Sequence, residues 1–113
     1  MVLIDSVSFG EASVDGKTYY SDLVVWWDGK VEFIPKNHRF GMSELLSLLR
    51  KKPDVVVLGT GFEQCVQVLE EVEQEVEDRR LLFFAEKTQN AFEIFNAMVN
   101  EGKKAVACVH VTS

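Results

Sequence analysis

With 113 residues, the chain has room for one compact domain and not for two ordinary ones. Hydrophobic residues make up 47% of it, which supports a packed core and excludes a disordered segment. A net charge of −6 argues against a general nucleic-acid surface, which needs a basic face, and against docking on anionic lipid.

No apolar run approaches the ~20 residues needed to span a bilayer. The opening, MVLIDSVSF, lacks the basic start and long apolar stretch of a secretory signal. The expectation is a soluble, cytoplasmic, single domain over residues 1–113.

The N-terminal third reads as strands. Val2 to Phe9 alternates apolar and polar residues, and Gly10 ends the run. Asp15-Gly16 and Asp28-Gly29 each separate strand-like runs, a strong hairpin signal because both turn residues can adopt positive φ. An antiparallel meander of Ala12–Val14, Lys17–Trp27 and Lys30–Ile34 follows. The middle run ends in Trp26 and Trp27, whose side chains in an alternating strand must point to opposite faces. One of them is then free to anchor a partner or to meet a second layer, so both are candidate partner-binding residues.

Pro35 to Gly41 is a loop carrying His38 and Arg39. Ser43 is placed to cap a short helix over Glu44–Lys51, with Leu45, Leu46, Leu48 and Leu49 as its apolar stripe. The stretch PDVVVLGTGFEQ then gives a strand over 54–58, buried on both faces, that runs into Gly59-Thr60-Gly61. A long helix is expected over Phe62–Asp78, with Phe62, Cys65, Val66, Leu69, Val72 and Val76 buried at helical spacing. Its acidic outer face reads as solvated surface. Leu81–Ala85 is a second buried strand. A third helix begins near Thr88 or Asn90 as cap, with Glu93 completing a capping box, and Phe92, Phe95 and Met98 turned inward. Asn96 would need partners if buried. Gly102 stops the helix, and Ala105–Val111 is the last strand. This alternation suggests right-handed β-α-β crossovers in one sheet, with the meander packed on it or extending it.

The glycine turn is the first place to look for chemistry. A strand, a glycine turn and a helix can present backbone N–H groups to an anion. A dinucleotide fingerprint is incomplete, because Gln64 stands where its third glycine belongs and the chain is too short for a second nucleotide-binding half. No Lys-Ser or Lys-Thr follows, so the turn is not a Walker A loop. Two readings stay open: a tight turn that needs glycine's freedom, and a site for a small anion or polar ligand. For the second, the candidate ligand-binding residues are Gly59, Thr60 and Gly61 as donors, Thr88 and Asn90 as polar contacts, and Lys87 and His110 for charge or proton transfer. His110 lies near the end of the last strand, where ligands gather in parallel sheets, although a histidine hydrogen-bonded at a sheet edge accounts for it as well. Cys65 and Cys108 lack C-x-x-C spacing and read as buried small apolar residues. No metal or cofactor is expected.

Several short stretches together resemble the Mth938-like family of DUF498 type: Phe9-Gly10, Val14-Asp15-Gly16-Lys17, Tyr20 with Asp22, Pro53 to Gly61, Thr88 with Ala91, Phe95-Asn96, and Val109-His110-Val111-Thr112. The likeness spans nearly the whole chain. It implies an α/β fold with a central mixed, mostly parallel sheet, helices on one side and a small antiparallel β layer on the other. The family often carries a cysteine after the terminal His-x-Thr; here Ser113 stands there, which counts against thiol chemistry at that position. The resemblance implies little about activity. Eukaryotic relatives include an adipogenesis-associated protein and an assembly factor of mitochondrial complex I.

Two functional readings emerge. One is a non-catalytic binding or assembly module with a protein partner on the Trp26–Trp27 face. The alternative is a protein binding a small molecule or anion, or an enzyme, with its site at the glycine turn. The first predicts a contiguous exposed apolar patch. The second predicts a concave pocket with free N–H groups.

Overall fold

A computed structural model describes residues 1–112; Ser113, singled out above, lies outside the described residues. The elements in chain order are β1 (Ile4–Ser8), β2 (Glu11–Val14), β3 (Lys17–Tyr19), β4 (Leu23–Trp26), β5 (Val31–Phe33), β6 (Arg39–Phe40), α1 (Met42–Leu49), β7 (Val55–Gly59), β8 (Gln67–Val68), α2 (Glu70–Asp78), β9 (Leu82–Glu86), α3 (Thr88–Asn100) and β10 (Ala105–Val109).

The central sheet runs β5-β4-β10-β7-β9. Strands β10, β7 and β9 are mutually parallel, whereas β4 is antiparallel to both β10 and β5. Both faces are covered, and the apolar sequences of β7 and β10 follow from that. Alternate residues divide between two cores. Val55, Val57, Ala105, Ala107 and Val109 face α3 and the β1-β2-β3 sheet. Val56, Leu58, Val106 and Cys108 face α1 and α2. Helix α3 therefore shares its side with the antiparallel layer, where the resemblance implied helices on one side only. Asn96 ties the two together: its Oδ1 accepts the Ile4 N–H at 2.9 Å and its Nδ2 donates to the Ile4 carbonyl at 2.8 Å.

Four expectations are corrected. The run over 17–27 is not one strand. It breaks at Tyr20–Asp22, so β3 joins the small sheet and β4 the central one. The helix over 62–78 begins only at Glu70. Phe62 packs on the α3 side of the sheet and Val66 is buried on the α1 side. Two residues four apart in a helix share a face, so no helix can divide them across a sheet. Instead the chain turns through Gly61 (φ +100°) and Gln64 (φ +57°), and β8 pairs with β6. Cys65 lies on this loop and is exposed, not buried. Finally, β9 is an edge strand with Leu82, Ala85 and Glu86 exposed, not a fully buried one.

Smaller shifts occur at helix starts. Gly41 caps α1, its N–H donating to the Glu44 carboxylate at 2.8 Å, so Ser43 lies inside the helix. Lys87 occupies the cap of α3; neither Thr88 nor Asn90 caps it.

Candidate functional site

The glycine turn is closed. Glu86 O accepts the Thr60 N–H at 2.8 Å and the Thr60 hydroxyl at 3.1 Å. The Gly61 N–H donates to Thr88 Oγ1 at 2.9 Å, and that hydroxyl donates onward to the His110 carbonyl at 2.6 Å. The Gly61 carbonyl accepts the Thr88 N–H at 3.1 Å. A Cβ on Gly59 would lie 2.9 Å from Thr88 Oγ1, so glycine is required there for close approach rather than for a ligand. The N–H groups of Thr60 and Gly61 are thus used inside the protein. Thr88 is the buried clasp between turn, helix and last strand. Lys87 and Asn90 are exposed. The turn does not present the free-donor site considered from the sequence.

The tryptophan face is corrected too. Trp26 is wholly buried, its Nε1 donating to Glu32 Oε1 at 3.1 Å. Arg50 and Lys51 each place a cation 4.8 Å from its ring centroid. Trp27 is half-buried and packs edge-on against Trp26, with centroids 5.9 Å apart. The break before β4 sets which way these residues point, a matter the alternation alone does not settle.

His110 belongs to a different place. Strand β4 pairs antiparallel with β10 in the register Leu23↔Val109, which sets Asp22 beside His110. The Asp22 carboxylate accepts N–H bonds from Val111 (2.7 Å) and Thr112 (3.0 Å) and the Thr112 hydroxyl bond. His110 Nδ1 lies 3.2 Å from its Oδ2. Asp22 and His110 expose 1% and 3% of their surface, so this contact is shielded from water. Burial alone would raise the Asp22 pKa, but His110 and the N–H groups of Val111 and Thr112 outweigh it and hold the carboxyl below the ordinary aspartate range. An ionised carboxylate only accepts, so Nδ1 carries the proton when the ring is neutral. The lone pair is then on Nε2, which lies 3.6 Å from Cys108 Sγ. Burial pushes the Cys108 thiol up to about 12, and the negative charges of Asp22 and Glu44 add to the effect.

Cys108 and His110 form part of the wall of a cavity of about 290 Å³ between the end of β10, the 34–39 loop and α1. Val24, Ile34, Phe40 and Leu48 make its lining mainly apolar, and Arg39, Asn37, Ser43 and Glu44 supply the polar groups. Arg39 is exposed and makes no ion pair among the described residues. Of the residues singled out from the sequence for ligand binding, His110 alone reaches this cavity. Asp22, Cys108 and Arg39 were not singled out. The alternation of β10 places Cys108 and His110 on one face and is a usable signal. Asp22 offers no such periodic signal; it stands among the residues that carry the family resemblance, with no role attached to it.

Residues 4–110 match the family described as a protein of unknown function (DUF498/DUF598). This chain belongs to that family. The DUF498/DUF598 domain resembles several solved structures. The conserved hypothetical protein PH1505 from Pyrococcus horikoshii OT3 is 27% identical, with 97% of this chain and 98% of that chain covered and a TM-score of 0.85. A protein named MT938 is 24% identical over 100% of both chains, with a TM-score of 0.84. A Bordetella pertussis protein described as an Mth938-like domain is 17% identical over 98% of this chain and 86% of that chain, with a TM-score of 0.76. The fold is thus Mth938-like, as the resemblance implied. No curated protein matches the chain. No helix among the described residues is long and apolar enough to cross a membrane.

Proposed function

We propose that this domain is a binding module for a small molecule with an apolar body and one anionic end. The observation that carries the reading is the cavity of about 290 Å³ at the carboxyl end of β10. Ligands favour that end of parallel strands, and mostly apolar pockets with a few polar groups are their usual form. The volume suits a short chain. Arg39, at the rim and outside any ion pair among the described residues, suits a carboxylate, while the Glu44 carboxylate is already engaged by the Gly41 N–H and the Ser43 hydroxyl. This takes up the alternative drawn from the sequence, a binder of a small molecule or anion, and moves its site from the glycine turn to the cavity. A protein partner or an assembly role would need a different surface, because Trp26 is inside.

Thermal unfolding in the presence of butyrate, hexanoate and octanoate, with the matching alcohols as controls, tests the proposal. Carboxylates raise the melting temperature in a concentration-dependent way. Arg39→Ala erases the difference between acid and alcohol, and Ser47→Trp, which fills the cavity from α1, abolishes both. Equal shifts in Ser47→Trp and the unaltered protein would overturn the site.

A further inference from the structure

We propose that Cys108, His110 and Asp22 form a nucleophile–base–orienter triad that transfers acyl groups from esters or thioesters of short apolar acids. The inference rests on the binding reading above, because the cavity is where the acyl chain would lie. The geometry supplies each role. Cys108 Sγ lies 3.6 Å from His110 Nε2, and His110 Nδ1 lies 3.2 Å from Asp22 Oδ2. These separations are long, as is common before substrate tightens a site. Both the sulfur-bearing and the imidazole residue line the cavity, so a carbonyl seated there meets them. Asp22 is held in turn by the backbone of Val111 and Thr112, which fixes the imidazole through Nδ1.

A thiol kept neutral by burial is activated within the step, in the way a serine hydroxyl is. The Cys108 proton passes to His110 Nε2 as Sγ attacks the carbonyl carbon; the C–S bond forms and the carbonyl oxygen takes the electron pair. Collapse breaks the bond to the leaving oxygen or sulfur, which takes the proton from Nε2. Water then attacks the thioester, giving its proton to Nε2. The carboxylic acid departs and the thiol recovers that proton. The product acid is of the class proposed to bind at Arg39.

The test uses Cys65→Ser protein, which removes the exposed thiol, incubated with 4-nitrophenyl butyrate. Intact-mass and peptide mapping are expected to place one butyryl group on Cys108. His110→Gln, which can still hydrogen-bond to Asp22, is expected to slow acylation by about a hundredfold or more. Cys108→Ala is expected to lose both the adduct and the release of 4-nitrophenol. Hexanoate stabilisation with neither a butyryl adduct on Cys108 nor Cys108-dependent release of 4-nitrophenol, or acylation whose rate His110→Gln leaves unchanged, overturns the chemistry and leaves the binding reading standing. An adduct without stabilisation by any carboxylate overturns the binding reading alone. If both signals are missing, both proposals fall.

Discussion

Asp22 Oδ2 and His110 Nδ1 meet at 3.2 Å across the β4–β10 pairing, although 88 positions separate them in the chain. The contact joins the start of the central antiparallel strand to the end of the last one. The same carboxylate takes up the N–H groups of Val111 and Thr112, so one side chain both orders the C-terminal segment and orients the imidazole. Stability and cavity chemistry are coupled at this residue.

Acid should therefore act through Asp22. Its folded pKa lies below the ordinary value, so the ionised carboxylate stabilises the fold above the unfolded aspartate pKa of about 3.9. That contribution is lost as pH falls through the folded-state value. Asp22→Asn is expected to cost about 3 kcal/mol at neutral pH, by removing one partner of a buried network, and to flatten the acid dependence. Urea midpoints measured from pH 7 downward check this; parallel curves for the two proteins would refute it.

At the glycine turn, Thr88→Val leaves the Gly61 N–H and the His110 carbonyl without their shared partner. Each unsatisfied buried group costs about 1–3 kcal/mol. Thr88→Ser retains the hydroxyl and is expected to stay much closer to the parent protein. Denaturant unfolding of the pair separates loss of hydrogen bonding from loss of a methyl group.

Gly59→Ala introduces a Cβ 2.9 Å from Thr88 Oγ1, with Thr88 Cα at 3.3 Å behind it. Helix α3 must move or the strand must bend, at a cost of about 1–3 kcal/mol. The melting temperature should fall without any change in hexanoate response, since the cavity lies elsewhere. A lost hexanoate response with unchanged stability would contradict the closed turn.

The two thiols should differ sharply toward iodoacetamide. Cys65 is exposed, whereas the Cys108 pKa is pushed up to about 12. Alkylation proceeds through thiolate, so near pH 8 native Cys108 should react at least about tenfold more slowly than Cys65. Mass mapping against time reads the two rates, and denaturant should equalise them.

Trp26→Ala empties a fully buried site and is expected to cost about 3–5 kcal/mol. Trp27→Ala, at a half-buried position, should cost less. Equal effects would mean that the two side chains share the same degree of burial, contrary to the structure.

Much of the architecture was legible locally. Asp15-Gly16 and Asp28-Gly29 mark the β2–β3 and β4–β5 hairpins; Asp15, Gly16 and Gly29 take positive φ there, whereas Asp28 does not. Val55 to Leu58 announced a strand buried on both faces, and β7 is one. Other patterns were ambiguous. The spacing of Phe62, Val66 and Leu69 satisfies a helix, but it satisfies equally a loop that crosses the sheet edge and buries one residue on each side. Gly59-Thr60-Gly61 carries the outline of an anion site, and nothing within the turn itself reveals that Thr88, twenty-seven residues after Gly61, will consume its donor.

Local sequence was enough for the strand over 55–58, the hairpin turns, the third helix and the alternation that puts Cys108 and His110 on one face of β10. Each follows from side-chain period or backbone preference over a few residues. Long-range packing decided that the glycine turn closes on Thr88, that Trp26 faces inward, and that Asp22 reaches His110. Those outcomes depend on strand order and register between segments far apart in the chain, and no local preference encodes which distant carboxylate a strand will bring alongside a histidine.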